Sequence, residues 1–315
     1  MNIIEFGDCR ETMRKWAQEG VKAQTCVTSP PYYGLRDYGR DGQIGLEETP
    51  EEYIAAMVEV FRCVKDVLAD DGTVWLNIGD SYYNYRPGKG QALVKQSVAN
   101  NDQDLPQNCA RRGNKLDGLK EKDLIGIPWM LAFALRGDGW YLRQDIIWHK
   151  PNPMPESVQD RCTKSHEYIF LLSKSSKYYY DNESIKEKAI HAGEERSFNS
   201  PKKAMRNVEG NVSTGNEHPD ALPVEVSEMK NKRSVWTVNP KPYPGSHFAV
   251  FPQELIEPCI LAGAPAGGIV IDPFMGSGTT AQVAQNLGRQ YIGCELNTDY
   301  KPLQDKRVAQ QALAL

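Results

Sequence analysis

Ile269-Val270-Ile271-Asp272-Pro273-Phe274-Met275-Gly276-Ser277-Gly278-Thr279-Thr280-Ala281 sets a glycine-rich turn between a short apolar run and a stretch of helical composition. An uncharged run rich in β-branched residues reads as a strand buried on both faces, and glycines at its end let the backbone approach a ligand closely. Nineteen residues after Gly276 stands Glu295, directly after the strand-like Tyr291-Ile292-Gly293-Cys294. An acid in that place can accept from both hydroxyls of a ribose. Together the two segments describe a pocket for a nucleoside-containing cofactor.

Three ligands compete for that pocket. A phosphate-gripping P-loop needs a lysine, and Gly278 is followed by Thr279 and Thr280 instead. The spacing Gly276-x-Gly278-x-x-Ala281 fits a dinucleotide fingerprint, but a nicotinamide half is not expected in the twenty residues after Glu295. S-adenosylmethionine (SAM) suits the turn better: it has an adenosine and a charged amino acid but no pyrophosphate. On this segment alone, another nucleotide or a merely structural glycine turn stays open.

Outward from the turn, short apolar runs alternate with helical patterns. Ile3–Phe6 and Ala23–Thr28 read as strands flanking a helix over Arg10–Glu19. Thr49-Pro50-Glu51-Glu52 opens a second helix with an N-cap, a first-turn proline and first-turn acids, and Gly72 closes it before the strand Thr73–Ile78. A helix over Pro128–Leu135, strands over Leu142–Trp148 and Glu167–Leu172, and a final run from Gln253 to Cys294 continue the pattern. Such alternation predicts an α/β fold with a mostly parallel sheet covered on both faces, and ligands in these sheets sit at the carboxyl ends of the strands.

The remaining composition sets bounds. With 315 residues, 40% hydrophobic and 25% charged, and a net charge of -4, the chain is an ordinary globular protein of one large domain or a core with an attachment. The nearly uncharged run Ile125–Leu135 is too short for a membrane span, and the N-terminus has no secretion-signal pattern, so no membrane and a cytoplasmic location are expected. Seven cysteines without a C-x-x-C pair predict neither zinc nor a disulfide framework. The stretch 84–122 carries eight basic and four acidic residues and little apolar periodicity, which reads as a basic loop able to follow a phosphate backbone, with a partnerless surface loop as the alternative. From about Ser184 to Arg233 the pattern dissolves again into a polar module.

At the other end of the chain, Thr28-Ser29-Pro30-Pro31-Tyr32 ends a strand with two prolines and an aromatic, a combination that fixes the backbone direction. The Ser29 hydroxyl and the Pro30 carbonyl can accept hydrogen bonds from an exocyclic NH2, aiming its lone pair at a methyl donor. Tyr32 offers a face on which an extruded base can stack.

These motifs in this order resemble the DNA amino-methyltransferases of the β arrangement, in which SPPY precedes the target-recognition region and DPFxGSGTT follows it. Gly7-Asp8-Cys9, Asn77-Ile78-Gly79-Asp80, Ile147-Trp148-His149-Lys150-Pro151-Asn152 and His247-Phe248-Ala249-Val250-Phe251-Pro252 add to the match, which covers most of the chain. The resemblance implies a permuted Rossmann-like fold with a seven-stranded sheet. Its base-binding half would lie over 1–183 with the loop 84–122, a target-recognition region over 184–234, and the SAM-binding half over 235–315. It implies SAM as cofactor, double-stranded DNA as partner, DNA methylation of the restriction-modification kind, and a possible homodimer.

By the same resemblance Ser29, Pro30, Pro31 and Tyr32 are catalytic. Asp8, Cys9, Thr28, Phe251, Pro252, Asp272, Phe274, Gly276, Ser277, Gly278, Thr279, Thr280 and Glu295 bind the cofactor. Arg111, Arg112, Lys115, Lys150, Asn152, Lys202, Lys203 and Arg206 are candidates for DNA contact, while Asp80 reads as a cap and His149 and His166 as structural. Serine before Pro-Pro-Tyr is associated in that family with cytosine N4, aspartate or asparagine with adenine N6. Ser29 therefore favours cytosine, with adenine open. An inactive nucleic-acid-binding relative would be expected to carry a damaged reaction loop, and a protein-amide methylase an asparagine where Ser29 stands.

Overall fold

A computed structural model describes residues 1–83, 116, 118–190, 195–196, 224–225, 227–240 and 251–309. In chain order these form β1 (Asn2–Phe6), α1 (Cys9–Gln18), β2 (Ala23–Thr28), α2 (Pro50–Val67), β3 (Leu68–Ile78), α3 (Ile127–Gly137), β4 (Tyr141–His149) and β5 (His166–Ser173). The short strands β6 (Glu187–Lys188), β7 (Glu195–Arg196), β8 (Val224–Glu225) and β9 (Met229–Lys230) follow. The chain continues with β10 (Val235–Thr237), α4 (Gln253–Gly263), β11 (Ile269–Asp272), α5 (Thr279–Asn286), β12 (Gln290–Glu295) and α6 (Lys301–Ala309). Two compact units result: Met1–Asp181 together with Arg233–Leu315, and Asn182–Lys232.

The first unit is built on one sheet in the order β1-β12-β11-β2-β3-β5-β4-β10. That is eight strands, not the seven expected. The addition is β10, which pairs parallel to β4 through Val235↔Ile147, Trp236↔Trp148 and Thr237↔His149. Three residues are too few to show a period of two, so the strand had no pattern to reveal it.

Within this sheet, among the described residues, only β5 runs against the rest: it is antiparallel to both β3 and β4, while the sheet's other pairings are parallel. No helix lies between β4 and β5 to carry the chain back across the sheet, which is what a parallel neighbour would need.

Helix faces close the core. In α1, Cys9, Thr12, Met13 and Trp16 fall on one stripe and are buried, and the Asp8 carboxylate caps the first turn by accepting from Arg10 N–H. Helix α2 starts with a full capping box, Thr49 accepting from Glu52 N–H and Glu52 from Thr49 N–H. It then buries Tyr53, Met57, Val60, Phe61 and Val64. The anticipated break at Gly72 does not occur: α2 passes directly into β3 at Leu68, and Gly72 lies within the strand. Gly72 has no room for a side chain, since a Cβ there would lie 2.5 Å from Leu68 Cγ. Helix α6 is an addition to the expected elements.

Two pairings bring the chain ends together. β1 pairs with β12 from Asn2↔Tyr291 to Phe6↔Glu295, so the first strand belongs to the same half as the last. β11 pairs with β2 through Val270↔Thr25 and Ile271↔Cys26, joining that half to the strand that ends in Thr28.

The second unit has its own local pairings, β6 with β9 and β7 with β8, both antiparallel, and an ion pair between Lys230 and Glu187. Lys202, Lys203 and Arg206 lie outside the described residues, as do Arg111, Arg112 and Lys115. Among the described residues no helix is long and apolar enough to cross a membrane.

Candidate active site

The common direction of seven strands places Asp8, Thr28, Ile78, His149, Asp272 and Glu295 at or just beyond one edge of the sheet. The reversed β5 brings its first residues, His166 and Glu167, to the same edge. The chemistry-bearing residues gather there.

At its centre, Thr28 Oγ1 donates to Asp272 Oδ1 over 2.6 Å and Thr280 Oγ1 donates to Asp272 Oδ2 over 2.6 Å. Phe274 N–H donates to Oδ1 as well. Asp272 is 1% exposed, and burial lifts its carboxyl to about 6 against the pull of these three donors. Both oxygens are thus engaged inside the loop. Asp272 ties the end of β2 to the turn before α5, which locks the reaction loop to the cofactor loop.

Beside this latch, Glu295 closes β12. Its Oε2 accepts from Gly276 N–H and its Oε1 from Asn297 N–H, both at 2.7 Å. Burial still pushes its carboxyl up to about 7. The turn is braced from behind by α6. Gln304 Nε2 donates to the Gly276 carbonyl at 2.7 Å and Arg307 Nη1 donates to Thr279 Oγ1 at 2.7 Å. Gly276 and Gly278 have φ of 54° and 87°, a left-handed backbone that a side chain would strain, and a Cβ on Gly278 would meet Gln304 Cα at 3.3 Å. The Ser277 hydroxyl is buried without a hydrogen-bond partner among the described residues.

This donor and acceptor set suits SAM. Each Glu295 oxygen accepts one backbone N–H and keeps a lone pair for a ribose hydroxyl, and the orphaned Ser277 hydroxyl offers a further polar group. No ammonium stands in the turn for a phosphate. Asp8 is held by Arg10, whose guanidinium keeps the Asp8 carboxyl below its usual range. Cys9 is buried and its thiol is pushed up to about 12 by desolvation. Phe251 is half-buried and Pro252 buried at the start of α4, where the next residue, Gln253, donates to Gln282 Oε1 of α5 at 2.6 Å. Phe274 packs against the main core.

The reaction loop leaves β2 at Ser29, which is partly exposed, and Tyr53 of α2 donates to the Pro31 carbonyl at 2.9 Å. The Tyr32 hydroxyl donates to Glu167 Oε2 at 2.7 Å, and its ring lies so close to Gly79 that a Cβ there would sit 2.6 Å from Tyr32 Cε2. Burial, together with the Glu167 charge, raises the phenol well above its ordinary value. Lys150 is paired with Glu167 Oε1, and its ammonium stands 4.2 Å from the centre of the Trp148 ring. Its side chain is only 19% exposed, so it is anchored in the site, whereas Asn152 is exposed in the loop after β4. Asp80 accepts from Gly126 N–H and Ile127 N–H and caps α3. Gly79, Glu167, Gln304 and Arg307 were not singled out in the sequence. Gly79 lay inside the Asn77–Asp80 motif and Glu167 opened the expected strand Glu167–Leu172, but neither was given a role there.

A family model of DNA methylases, covering the N6 and N4 types, matches residues 23–306. The chain belongs to this family. It is 48% identical over 305 residues to the type II methyltransferase M.SmaI of Serratia marcescens, covering 97% of this chain and 90% of that protein. To the type II methyltransferase M.Cfr9I of Citrobacter freundii it is 46% identical over 294 residues, covering 93% and 83%. In fold it is similar to the PvuII DNA methyltransferase, described as cytosine-N4-specific, with a TM-score of 0.61, 16% identity, and coverage of 97% and 86%. It is also similar to a modification methylase of Thermus thermophilus solved with S-adenosylmethionine, with a TM-score of 0.59, 21% identity, and coverage of 100% and 96%. By that family it is a SAM-dependent methyltransferase of DNA amino groups. The strand-end edge carrying Ser29, Asp272 and Glu295 is its candidate active site.

Proposed function

We propose that this methyltransferase modifies N4 of cytosine in a base turned out of double-stranded DNA, as the modification enzyme of a restriction-modification system. The observation that carries the reading is the adjacency of Ser29 to Thr28, whose hydroxyl is bonded to Asp272 of the cofactor loop. SAM, when bound, supplies a methyl group made electrophilic by its sulfonium. The Ser29 hydroxyl and Pro30 carbonyl accept the amino hydrogens and draw the nitrogen lone pair out of the ring, while Tyr32 receives the face of the base. Catalysis is then positioning and electrostatics, with no covalent intermediate on the protein.

For the cofactor, the proposed contacts are Glu295 to the ribose, Ser277 and the glycine turn to the neighbouring polar groups, and Asp8, Cys9, Phe251 and Pro252 along its flanks. Asp272, Thr28, Thr279 and Thr280 hold the loops in shape. Asn182–Lys232 with Lys202, Lys203 and Arg206, and the segment with Arg111, Arg112 and Lys115, are proposed for target recognition and phosphate contact. Asn152 stands for the base-side loop.

The preference for cytosine rests on serine preceding Pro-Pro-Tyr. Incubation of unmodified DNA with tritiated SAM, followed by digestion to nucleosides, decides it. Label in N4-methylcytosine supports the assignment, label in N6-methyladenine replaces cytosine by adenine, and label in neither base removes the reading.

A further inference from the structure

We propose that Glu167 is a positioning residue of the methyl-transfer site, acting through Tyr32. Its carboxylate, held by Lys150, fixes the phenol and with it the ring that receives the target base. The inference rests on the base-stacking role given to Tyr32 above.

Three donors from three different segments converge on this one carboxylate. The Tyr32 hydroxyl reaches Oε2 at 2.7 Å, Asn77 Nδ2 reaches the same oxygen at 3.3 Å, and the Lys150 ammonium takes Oε1. Asn77 is itself fixed by donating to the Tyr168 carbonyl at 3.1 Å. Lys150 is fixed a second way, by lying over the Trp148 ring. The carboxylate therefore has a fixed place on the rim of the sheet, and its charge makes the phenol's hydrogen bond one of the strong kind.

Gly79 supplies the other constraint. Its missing side chain lets the Tyr32 ring lie against the backbone, where a Cβ would come within 2.6 Å of Cε2, 3.2 Å of Cδ2 and 3.4 Å of Cζ. A ring pressed against backbone on one edge and tethered at its hydroxyl has one tilt. The Ser29 side chain is hydrogen-bonded to the Tyr32 phenol, so the tether also bears on where the Ser29 hydroxyl faces. Held this way, the aromatic is ordered before the base arrives, so base extrusion does not have to supply that ordering.

The test measures kcat and KM for DNA with tritiated SAM, and SAM affinity by calorimetry, in wild type, E167A, E167Q, Y32F and the double variant Y32F/E167A. E167A is expected to lower kcat roughly ten- to a hundredfold, the scale of a reacting group misplaced by about an ångström, while SAM affinity stays within about twofold. E167Q keeps an acceptor for the phenol and should recover most of the rate. Y32F keeps the ring but removes the tether, so it should match E167A, and the double variant should be no slower than either single variant.

Additive losses in the double variant, a wild-type rate in Y32F, or a fall in SAM affinity parallel to that in kcat would overturn the proposal. If E167A does not fold, Y32F and E167Q still decide it. A wild-type protein that methylates neither base removes the underlying reading, whereas an active wild type with an unaffected E167A removes only this inference.

Discussion

The hydroxyl of Thr28 stands 2.6 Å from a carboxylate oxygen of Asp272, a residue 244 positions further along the chain. Through this bond the strand that delivers Ser29 is fixed to the loop that shapes the cofactor site. An amino group gripped at one loop and a methyl donor held at the other need a common frame, and a buried carboxylate bridging two hydroxyls is a stiff one.

Removing the Thr28 hydroxyl takes one of the two donors from the buried Asp272 Oδ1 and leaves it the Phe274 N–H. Thr28→Val keeps the side-chain shape and deletes only the hydroxyl, so it should lower the free energy of unfolding by about 2 kcal/mol and weaken SAM binding. Urea denaturation and calorimetry measure both. An unchanged unfolding midpoint would mean that the Thr280 hydroxyl and Phe274 N–H suffice.

Asp272 also writes a pH dependence into the fold. Its carboxyl is raised from 3.8 to about 6 in the folded protein, so between these values the folded state binds a proton that the unfolded chain has released. The associated stability is fully present below about pH 4 and is lost as the pH rises through about 6, a contribution of roughly 2–3 kcal/mol. Asp272→Asn, which cannot titrate, should flatten that part of the stability–pH curve without SAM. A slope that survives the substitution would assign it to another group.

How far this was readable from the sequence depended on whether the signal was local. The turn at Gly276–Gly278 and the segment from Thr28 to Tyr32 were visible because each follows a strand with residues of distinctive backbone habit, permissive glycines in one and rigid prolines in the other. The partner of β1 was not visible, since no pattern within Asn2–Phe6 selects a strand 289 residues away. Helix α6 escaped because its buried residues are Gln304 and Arg307, which carry no apolar period, yet those two brace the cofactor turn. Asp272 was read as a cofactor acceptor; what the sequence did not show is that its two oxygens accept from the Thr28 and Thr280 hydroxyls, the first of which arrives from the far end of the chain. Glu167 looked like the opening of an apolar strand, and only the reversal of β5 brings it to Tyr32.

Glu295 predicts a pH-dependent affinity. Its carboxyl sits at about 7 in the protein, and ribose hydroxyls bind the ionised form better than the acid. SAM affinity should therefore rise as the pH increases through 7 and level off above about 8, with proton release on binding below that point. Calorimetry in two buffers of different ionisation enthalpy reads the proton directly. Glu295→Ala should weaken binding and abolish the slope, and an equally steep slope in that variant would count against the ribose contact.

Ser29→Ala separates the two halves of the site. The hydroxyl is used on the amino group and not on the cofactor, so kcat should fall about tenfold or more while SAM affinity stays within twofold. Rapid-quench measurement of the methyl-transfer step, together with equilibrium SAM binding, gives both numbers. Parallel loss of the two would place Ser29 in the cofactor site.

Gly79→Ala tests the ring of Tyr32 from the backbone side. The added methyl carbon would lie 2.6 Å from Cε2, inside any tolerable contact, and the ring cannot swing aside freely because its hydroxyl is bonded to Glu167. Either the phenol leaves the carboxylate or β3 shifts where it ends. In both cases the reaction loop is displaced while Glu295 and the glycine turn, on the other side of β2, stay in place. The variant should remain folded with a loss of about 1–3 kcal/mol, bind SAM as wild type, and turn over roughly a hundredfold more slowly. Adding Y32F to Gly79→Ala should cost little more if the phenol has left the carboxylate, and should cost a further loss if β3 has shifted with the tether intact. A Gly79→Ala protein with wild-type kcat would show that the ring has a second, equally productive position.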